Sequence, residues 1–301
     1  MRRSLRALAT TIATTVAVVG LVPAAALAID LDIELPPPPT KPETAVRTWY
    51  SGTVEPGETH SGGWNTRLSA AYHIGLSPVG ATTSEPCEFE VVKTWYQETT
   101  SGRRQFRWTV KNIGDVACAT NIILSRIDTT SIGSTRGVSP GGTVELVERG
   151  LDTNSNYLVG LIPSGATSDD DCRFQVVGTS YRHYRQGDVA TYLQARVTVE
   201  NIGNVACTAD VRLASIITDA TPTIGSLAAG ASTTKTYNNA NPIDQGYLAG
   251  VIPNVGCELA VTRTYYRQRI NSNGSAEREF VRRIKNLSST TCNGKSALTT
   301  I

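Results

Sequence analysis

Cysteine is the residue type in this 301-residue chain whose spacing points most directly to chemistry. The first members of three cysteine pairs lie 85 residues apart, and each is followed by a second cysteine 31 or 35 residues on: Cys87 and Cys118, Cys172 and Cys207, Cys257 and Cys292. Two cysteines per fixed interval predict a tandem array of small domains, each closed by one internal disulfide. A zinc site would need Cys-x-x-Cys or clustered histidines, and neither pattern occurs in the sequence.

The remaining reactive residue types do not form a catalytic set. The histidines are His60, His73 and His183, and with every cysteine assigned to a disulfide a Ser-His-Asp or Cys-His nucleophile is poorly supplied. The acidic run at 169–171 has no counterpart at the other two cysteines. We therefore interpret it as a solvated loop rather than a calcium site. The sequence predicts a protein that is not an enzyme and needs no metal or cofactor.

Aromatic side chains are the better candidates for a binding site, because exposed rings stack on sugars or anchor protein partners. All four tryptophans lie between residues 46 and 130. Trp108 alternates with Phe106 and Val110, so we assign it to the core. The candidate ligand-binding residues are Trp49, Trp64, Trp95 and Tyr96. The competing interpretation places one ring of each adjacent pair in the core and the other at its rim.

The sequence segments that carry these residues have the pattern of β-strands. Apolar residues alternate at Cys87, Phe89 and Val91 and return at Phe106 and Val110, a period of two that predicts strands with one buried face. Recurring Pro-Gly turns and Tyr-x-x-Gly strands place the start of each unit before its first cysteine. The sequence thus predicts an all-β fold of three tandem antiparallel immunoglobulin-like β-sandwich domains, at 46–130, 131–219 and 220–301, each with one internal disulfide.

The return strand of each unit ends in a related motif. It reads Val-Lys-Asn-Ile-Gly up to Gly114, Val-Glu-Asn-Ile-Gly up to Gly203 and Ile-Lys-Asn-Leu-Ser up to Ser288. In these residues the chain resembles bacterial immunoglobulin-like domains of the cell-adhesion-related type. The resemblance covers about a dozen residues per unit and implies a β-sandwich with an extracellular binding or spacing role, and no catalytic residues. Ser288 departs from the motif, which puts the third turn in doubt.

The N-terminal residues predict export. Arg2, Arg3 and Arg6 precede an apolar stretch and small residues at Ala26 and Ala28, so we expect a signal peptide over 1–28, with the Sec and twin-arginine routes left open. Residues 29–45 form a Pro-rich linker. Cleavage removes three arginines, leaving 25 basic residues of 28 against 26 acidic ones. A near-neutral mature chain gives no reason to expect nucleic acid as a partner, and we expect no membrane span.

Three functions are compatible with these features. We expect a secreted, non-enzymatic structural, adhesion or surface-assembly protein held out on the Pro-rich linker, with an extracellular protein or polysaccharide as partner. The alternative is a carbohydrate-binding protein that uses the aromatics of its first domain. A third hypothesis is a secreted protease inhibitor with a reactive loop at 79–86 or 164–171.

Overall fold

The all-β prediction is confirmed. A computed structural model describes residues 47–67, 69–186, 190–238, 240 and 242–301, in which 17 strands and no helix occur. The predicted signal peptide (1–28) and Pro-rich linker (29–45) lie outside the described residues. The strands are β1 (Arg47–Tyr50), β2 (Thr59–Asn65), β3 (Ala70–Val79), β4 (Cys87–Glu98), β5 (Arg104–Asn112), β6 (Ala119–Asp128), β7 (Thr130–Ser134), β8 (Thr143–Leu151), β9 (Ser155–Ser164), β10 (Cys172–Gln186), β11 (Ala190–Asn201), β12 (Thr208–Ile217), β13 (Ser232–Tyr237), β14 (Tyr247–Pro253), β15 (Glu258–Ile270), β16 (Ala276–Asn286) and β17 (Gly294–Thr300).

The strands form three small antiparallel sheets and one large one. The small sheets have the orders β1-β6-β3, β7-β12-β9 and β14-β17. The nine-stranded sheet combines β2-β5-β4, β8-β11-β10 and β13-β16-β15. We refer to 46–130, 131–219 and 220–301 as segments 1, 2 and 3; each contributes one small sheet and three strands of the large sheet.

The strands that begin at or beside the first cysteine of each pair, β4, β10 and β15, join the segments. We call them the cysteine strands. Residues 96–98 of β4 pair with 172–174 of β10, residues 180–182 of β10 pair with 258–260 of β15, and residues 265–268 of β15 pair with 87–90 of β4. The end of each cysteine strand therefore pairs with the beginning of the next, and the three form a closed cycle.

Each cysteine strand contains a β-bulge at the same place. Its register against the return strand shifts by one residue after Val91, Val176 and Val261. A bulge reverses the inward and outward alternation of the residues that follow it. Phe89 faces the core before the first bulge, and after it Tyr96 does so in place of Trp95.

Buried side chains from a small sheet and from the large sheet share each core. Phe89 and Phe106 of the large sheet and Ile122 and Leu124 of the first small sheet are at most 1% exposed and belong to one apolar cluster. Three disulfides reinforce these contacts, joining Cys87 to Cys118, Cys172 to Cys207 and Cys257 to Cys292. In the chain-entropy model loops of this length stabilise the fold by about 3–4 kcal/mol each.

The asparagine of the return-strand motif has a structural role. Asn112 is fully buried, and its Nδ2 donates to the carbonyls of Val54 and Val116 at 2.8 Å, while Gly114 N donates to its Oδ1 at 3.0 Å. Asn201 and Asn286 make the corresponding bonds in their segments.

Ser288 keeps this turn intact. Its N–H donates to Asn286 Oδ1 at 2.9 Å, as the glycine does in the first two segments, and its hydroxyl accepts a bond from Glu258 N at 2.7 Å. The departure from the motif therefore adds a hydrogen bond instead of changing the turn.

Candidate functional site

Two of the predicted binding residues, Trp49 and Trp64, meet at one edge of segment 1. Trp49 lies on β1, the edge strand of the small sheet, and Trp64 on β2, an edge strand of the large sheet. Their rings form an edge-to-face pair with centroids 5.8 Å apart, and Trp49 also packs on the buried Trp108 at 5.1 Å. The Arg47 guanidinium lies 5.6 Å and 5.5 Å from the two ring centroids.

The position of this pair fits closure of the core better than ligand binding. Both rings are half-buried and pack against the main apolar cluster, where they fill the gap between two edge strands. Arg47 covers part of the surface that remains, in a cation–π arrangement. A sugar ring that stacked on either indole would therefore compete with Arg47 for this surface.

Trp95 lies elsewhere, on the outward face of β4 and β5. The bulge after Val91 turns it outward, and two cations lie near its ring: Lys93 Nζ at 5.4 Å and the Arg107 guanidinium at 5.9 Å from the ring centroid. Gly63 on β2 makes room for Arg107, because a Cβ at that position would come within 2.5 Å of Arg107 Cδ. The half-buried indole thus lies beside two basic side chains.

A chain of hydrogen bonds runs across the same face. Trp95 Nε1 donates to Gln97 Oε1 at 3.1 Å, and Gln97 Nε2 donates to Gln105 Oε1 at 3.0 Å. Gln105 Nε2 then donates to Asn65 Oδ1 at 3.4 Å. We define the Trp95 face by seven residues: Asn65, Lys93, Trp95, Gln97, Gln105, Arg107 and Gly63. Gln97 is 8% exposed and links the indole to Gln105. The two cations, the indole and the amides of Asn65 and Gln105 can hydrogen bond to and stack on a polyhydroxylated ligand.

Tyr96, the fourth predicted binding residue, is in the core. It is 4% exposed, its hydroxyl accepts a hydrogen bond from Tyr72 N at 3.0 Å, and its ring packs on Phe106 at 5.0 Å. Burial raises the pKa of its phenol well above the usual value. The structure therefore brings Trp49 and Trp64 together, holds Trp95 on a separate face and removes Tyr96 from solvent.

The corresponding faces of the other segments differ in chemistry. Ser180 stands at the place of Trp95 in segment 2 and donates to Glu258 Oε1 at 2.8 Å. Tyr265 stands there in segment 3, with the Arg263 guanidinium 5.4 Å from its ring centroid. Arg263 in turn makes a bidentate pair with Glu90 at 2.7 and 3.0 Å. The full set of indole, amides and two cations occurs in segment 1.

From the sequence, Arg107 stands out only as one of the arginines beside the first hairpin, which could bind an anionic polymer or form a solvated face; Lys93, Gln97 and Gln105 were missed as members of a site. They come together through cross-strand pairing, with Gln97 opposite Gln105 and Trp95 opposite Arg107. The available signal was the hairpin turn at 99–102, which would have set this register by counting back along both strands. The bulge would still have misplaced every residue before Lys93 by one position.

The loops suggested for protease inhibition lie at the junctions between segments. Gly80 N and Ala81 N donate to Gln268 Oε1 at 2.9 and 3.1 Å. Gly165 N and Ala166 N donate to Glu98 Oε2 at 2.8 and 3.1 Å. The first residues of both loops are thus held by a neighbouring segment.

The described residues also contain no group that would mark a metal site and no helix that would mark a membrane span. Among the residues that the structure describes, no three His, Cys, Asp or Glu side chains are grouped so that they could hold a metal ion. The same residues include no helix long and apolar enough to cross a membrane. Comparison with protein-family models, with curated proteins and with solved structures finds no match to this chain.

Proposed function

We propose that this chain is a secreted, non-enzymatic adhesion or surface-assembly protein built from three tandem immunoglobulin-like β-sandwiches of the cell-adhesion-related type. The observation that carries the proposal is the closed cycle of β4, β10 and β15. Backbone hydrogen bonds across three junctions hold the segments in fixed orientation, so a load on one is shared with the others. That property suits an adhesive or assembly protein, whereas flexible linkage would suit independent modules.

The packing and the disulfides support the same proposal. A two-layer sandwich accounts for the clusters in which small-sheet residues such as Ile122 meet large-sheet residues such as Phe106. Three disulfides are typical of an oxidising, extracellular environment. Each unit then carries one disulfide that joins the middle of its chain to a point near its end, and one buried asparagine at the end of its return strand.

A second candidate function, carbohydrate binding, is favoured by the Trp95 face. An indole flanked by two cations and continued by a row of amides is suited to a polysaccharide that carries acidic groups, because the ring stacks on a sugar while the cations bind its charges. This candidate is compatible with the first, since wall polysaccharide is a surface to which an adhesion protein can attach. Of the four aromatic residues that the sequence suggested for binding, this candidate function uses Trp95 alone.

One binding experiment tests both functions. The mature chain is incubated with cell walls and culture supernatant of the producing organism, and bound material is separated into protein and polysaccharide. Adhesion or assembly predicts retention of a protein or polymer by the wild type; retention of neither would contradict it. Trp95→Ala should then weaken polysaccharide binding at least about tenfold if the Trp95 face is the site.

The chain provides a matched control at Tyr265. Tyr265 occupies the corresponding outward position in segment 3 and also lies beside a guanidinium, so Tyr265→Ala removes an equivalent ring. Polysaccharide binding should survive this change. Equal losses in Trp95→Ala and Tyr265→Ala would refute the assignment to the Trp95 face, and an unchanged Trp95→Ala would refute carbohydrate binding there.

A further inference from the structure

A cavity of about 540 Å³ lies where the three cysteine strands meet. Corresponding residues of all three segments line it, and they fall into sets of the same chemistry. One set is the valines before the bulges, and a second is the threonines that follow them: Val91, Val176 and Val261, then Thr94, Thr179 and Thr264. A volume of this size falls within the range of about 300–1,000 Å³ that small-molecule sites occupy.

The bulges expose apolar side chains at this cavity. Val92 and Val177 are the extra residues of the first two bulges; both line the cavity, and they are 45% and 47% exposed. Their backbones are bent out of the regular ladder, so neither side chain is covered by a neighbouring strand of the described chain. An apolar ligand could therefore reach the valines without opening a core.

The charges at the cavity cancel. Glu90 and Arg263 both line it, and they are already bound to each other by the bidentate pair. An ionic ligand would have to break this pair or give up its own hydration without a free partner. Since burying an unpaired charge is costly, the lining favours a neutral occupant.

His73 is the exception to the repeated lining. Leu158 and Leu248 occupy the corresponding positions, and all three side chains line the cavity. The buried His73 Nδ1 has no hydrogen-bond partner among the described residues. Burial lowers the pKa of the imidazole to about 4, so the ring is neutral at ordinary pH and has one donor and one acceptor nitrogen.

We propose that this cavity binds a small, neutral, mainly apolar molecule that carries one hydroxyl group, with its apolar body against the valines and its hydroxyl hydrogen-bonded to His73. A hydroxyl both donates and accepts, so it can serve the neutral ring in either tautomer. The site is separate from the Trp95 face, and it does not depend on the proposed adhesive function.

The test titrates the mature full-length chain with decan-1-ol, and in parallel with decanoate, by calorimetry at neutral pH. We expect saturable one-site binding of decan-1-ol and at least tenfold weaker binding of decanoate. Long-range ¹H–¹⁵N spectra should show the His73 ring nitrogens shifting with decan-1-ol while those of His60 and His183 stay unchanged. Absence of saturable binding, or decanoate binding as tightly as the alcohol, would overturn the proposal.

Two variants and a control locate the ligand. Val177→Trp fills the cavity at an exposed position and should abolish binding. His73→Leu copies the residue of the other segments, so it should fold normally and weaken binding about three- to tenfold. Val147→Trp makes the same change at a similarly exposed valine outside the cavity and should bind as the wild type does. Wild-type binding by Val177→Trp would overturn the proposal, and the His73 spectra would decide the matter even if that variant were unstable.

Discussion

Arg282 donates a hydrogen bond of 2.6 Å from Nε to Ser296 Oγ inside segment 3, where it is only 2% exposed. Arg282 pairs with Thr264 as Trp108 pairs with Thr94, so the arginine occupies the place of a core tryptophan. Its Nη1 has no hydrogen-bond partner among the described residues, and burial lowers its pKa. A buried charge without a carboxylate destabilises a fold.

Replacing this pair by apolar residues should stabilise the protein. For Arg282→Met combined with Ser296→Val we expect the free energy of unfolding to rise by about 1–3 kcal/mol, because the desolvation cost disappears and the volume stays filled. Urea denaturation measures the change. Arg283→Met alters the exposed neighbouring residue and should have an effect within about 0.5 kcal/mol. A double variant less stable than the wild type would show that the buried charge has a partner worth more than its cost.

The buried asparagines should be among the most sensitive polar positions. Asn112→Ala removes two donated bonds and one accepted bond; the Val54 carbonyl keeps its bond from Cys118 N, while the Val116 carbonyl loses the amide donor, so we expect a loss of about 2–4 kcal/mol. Asn65→Ala changes an exposed asparagine and serves as the control in the same denaturation series. Similar small losses in both variants would contradict the structural role given to the motif.

Two substitutions of Glu98, at the junction between segments 1 and 2, should differ in their effect on stability. Its Oε2 accepts bonds from Gly165 N and Ala166 N, and at the corresponding junction Gln268 accepts the same two bonds without a charge. Glu98→Gln should therefore change the free energy of unfolding by less than about 1 kcal/mol, and Glu98→Ala should lower it by about 1–3 kcal/mol. Amide hydrogen exchange at Gly165 and Ala166 should accelerate in the alanine variant alone. Equal exchange rates in both variants would argue against the bonds.

His73 should make stability depend on acidity. Its pKa is about 4 in the folded chain and 6.5 when unperturbed, so below pH 6.5 the unfolded chain binds a proton that the folded chain resists. The stabilising contribution is complete above pH 6.5 and is lost as the pH falls towards 4, by up to about 3 kcal/mol. His73→Leu should lack this part of the pH profile while keeping the part due to carboxylates. Parallel profiles for the two proteins would exclude the effect.

The strands and the disulfides could be predicted because the patterns that indicate them lie in residues close together in the sequence. Alternation at Cys87, Phe89 and Val91 indicated strands, and the even set of cysteines indicated disulfides. The pairing of β4 with β15 could not be predicted, because it joins residues about 180 positions apart and no local signal marks which edges meet. The domain boundaries and the immunoglobulin-like sandwich remain predictions.

One physical step kept the composition of the Trp95 face from being predicted. Adjacent aromatics were expected to face opposite ways, which is correct for Trp95 and Tyr96, but alternation counted from Cys87 would have turned Trp95 inward. The bulge after Val91 adds one residue and reverses that assignment. The side chains of Val91 and Val92 do not indicate a bulge, because valine is equally common in a regular strand. The separate clustering of Trp49 with Trp64 required knowledge of which strands lie at the sheet edges.

The cycle of cysteine strands also defines where this chain can be engineered. Each cysteine strand pairs along one edge with its own return strand, and along the other edge it pairs with the preceding segment at its beginning and with the following segment at its end. A shortened version with one segment deleted would therefore leave two of these junctions unpaired and invite self-association. Grafts and inserts belong at the hairpin tips beside Gly102 and Gly274, where a Cβ would meet nothing within 4 Å, although the positive φ of both residues favours keeping the glycines themselves. We therefore expect the shortest self-sufficient form of the protein to contain all three segments.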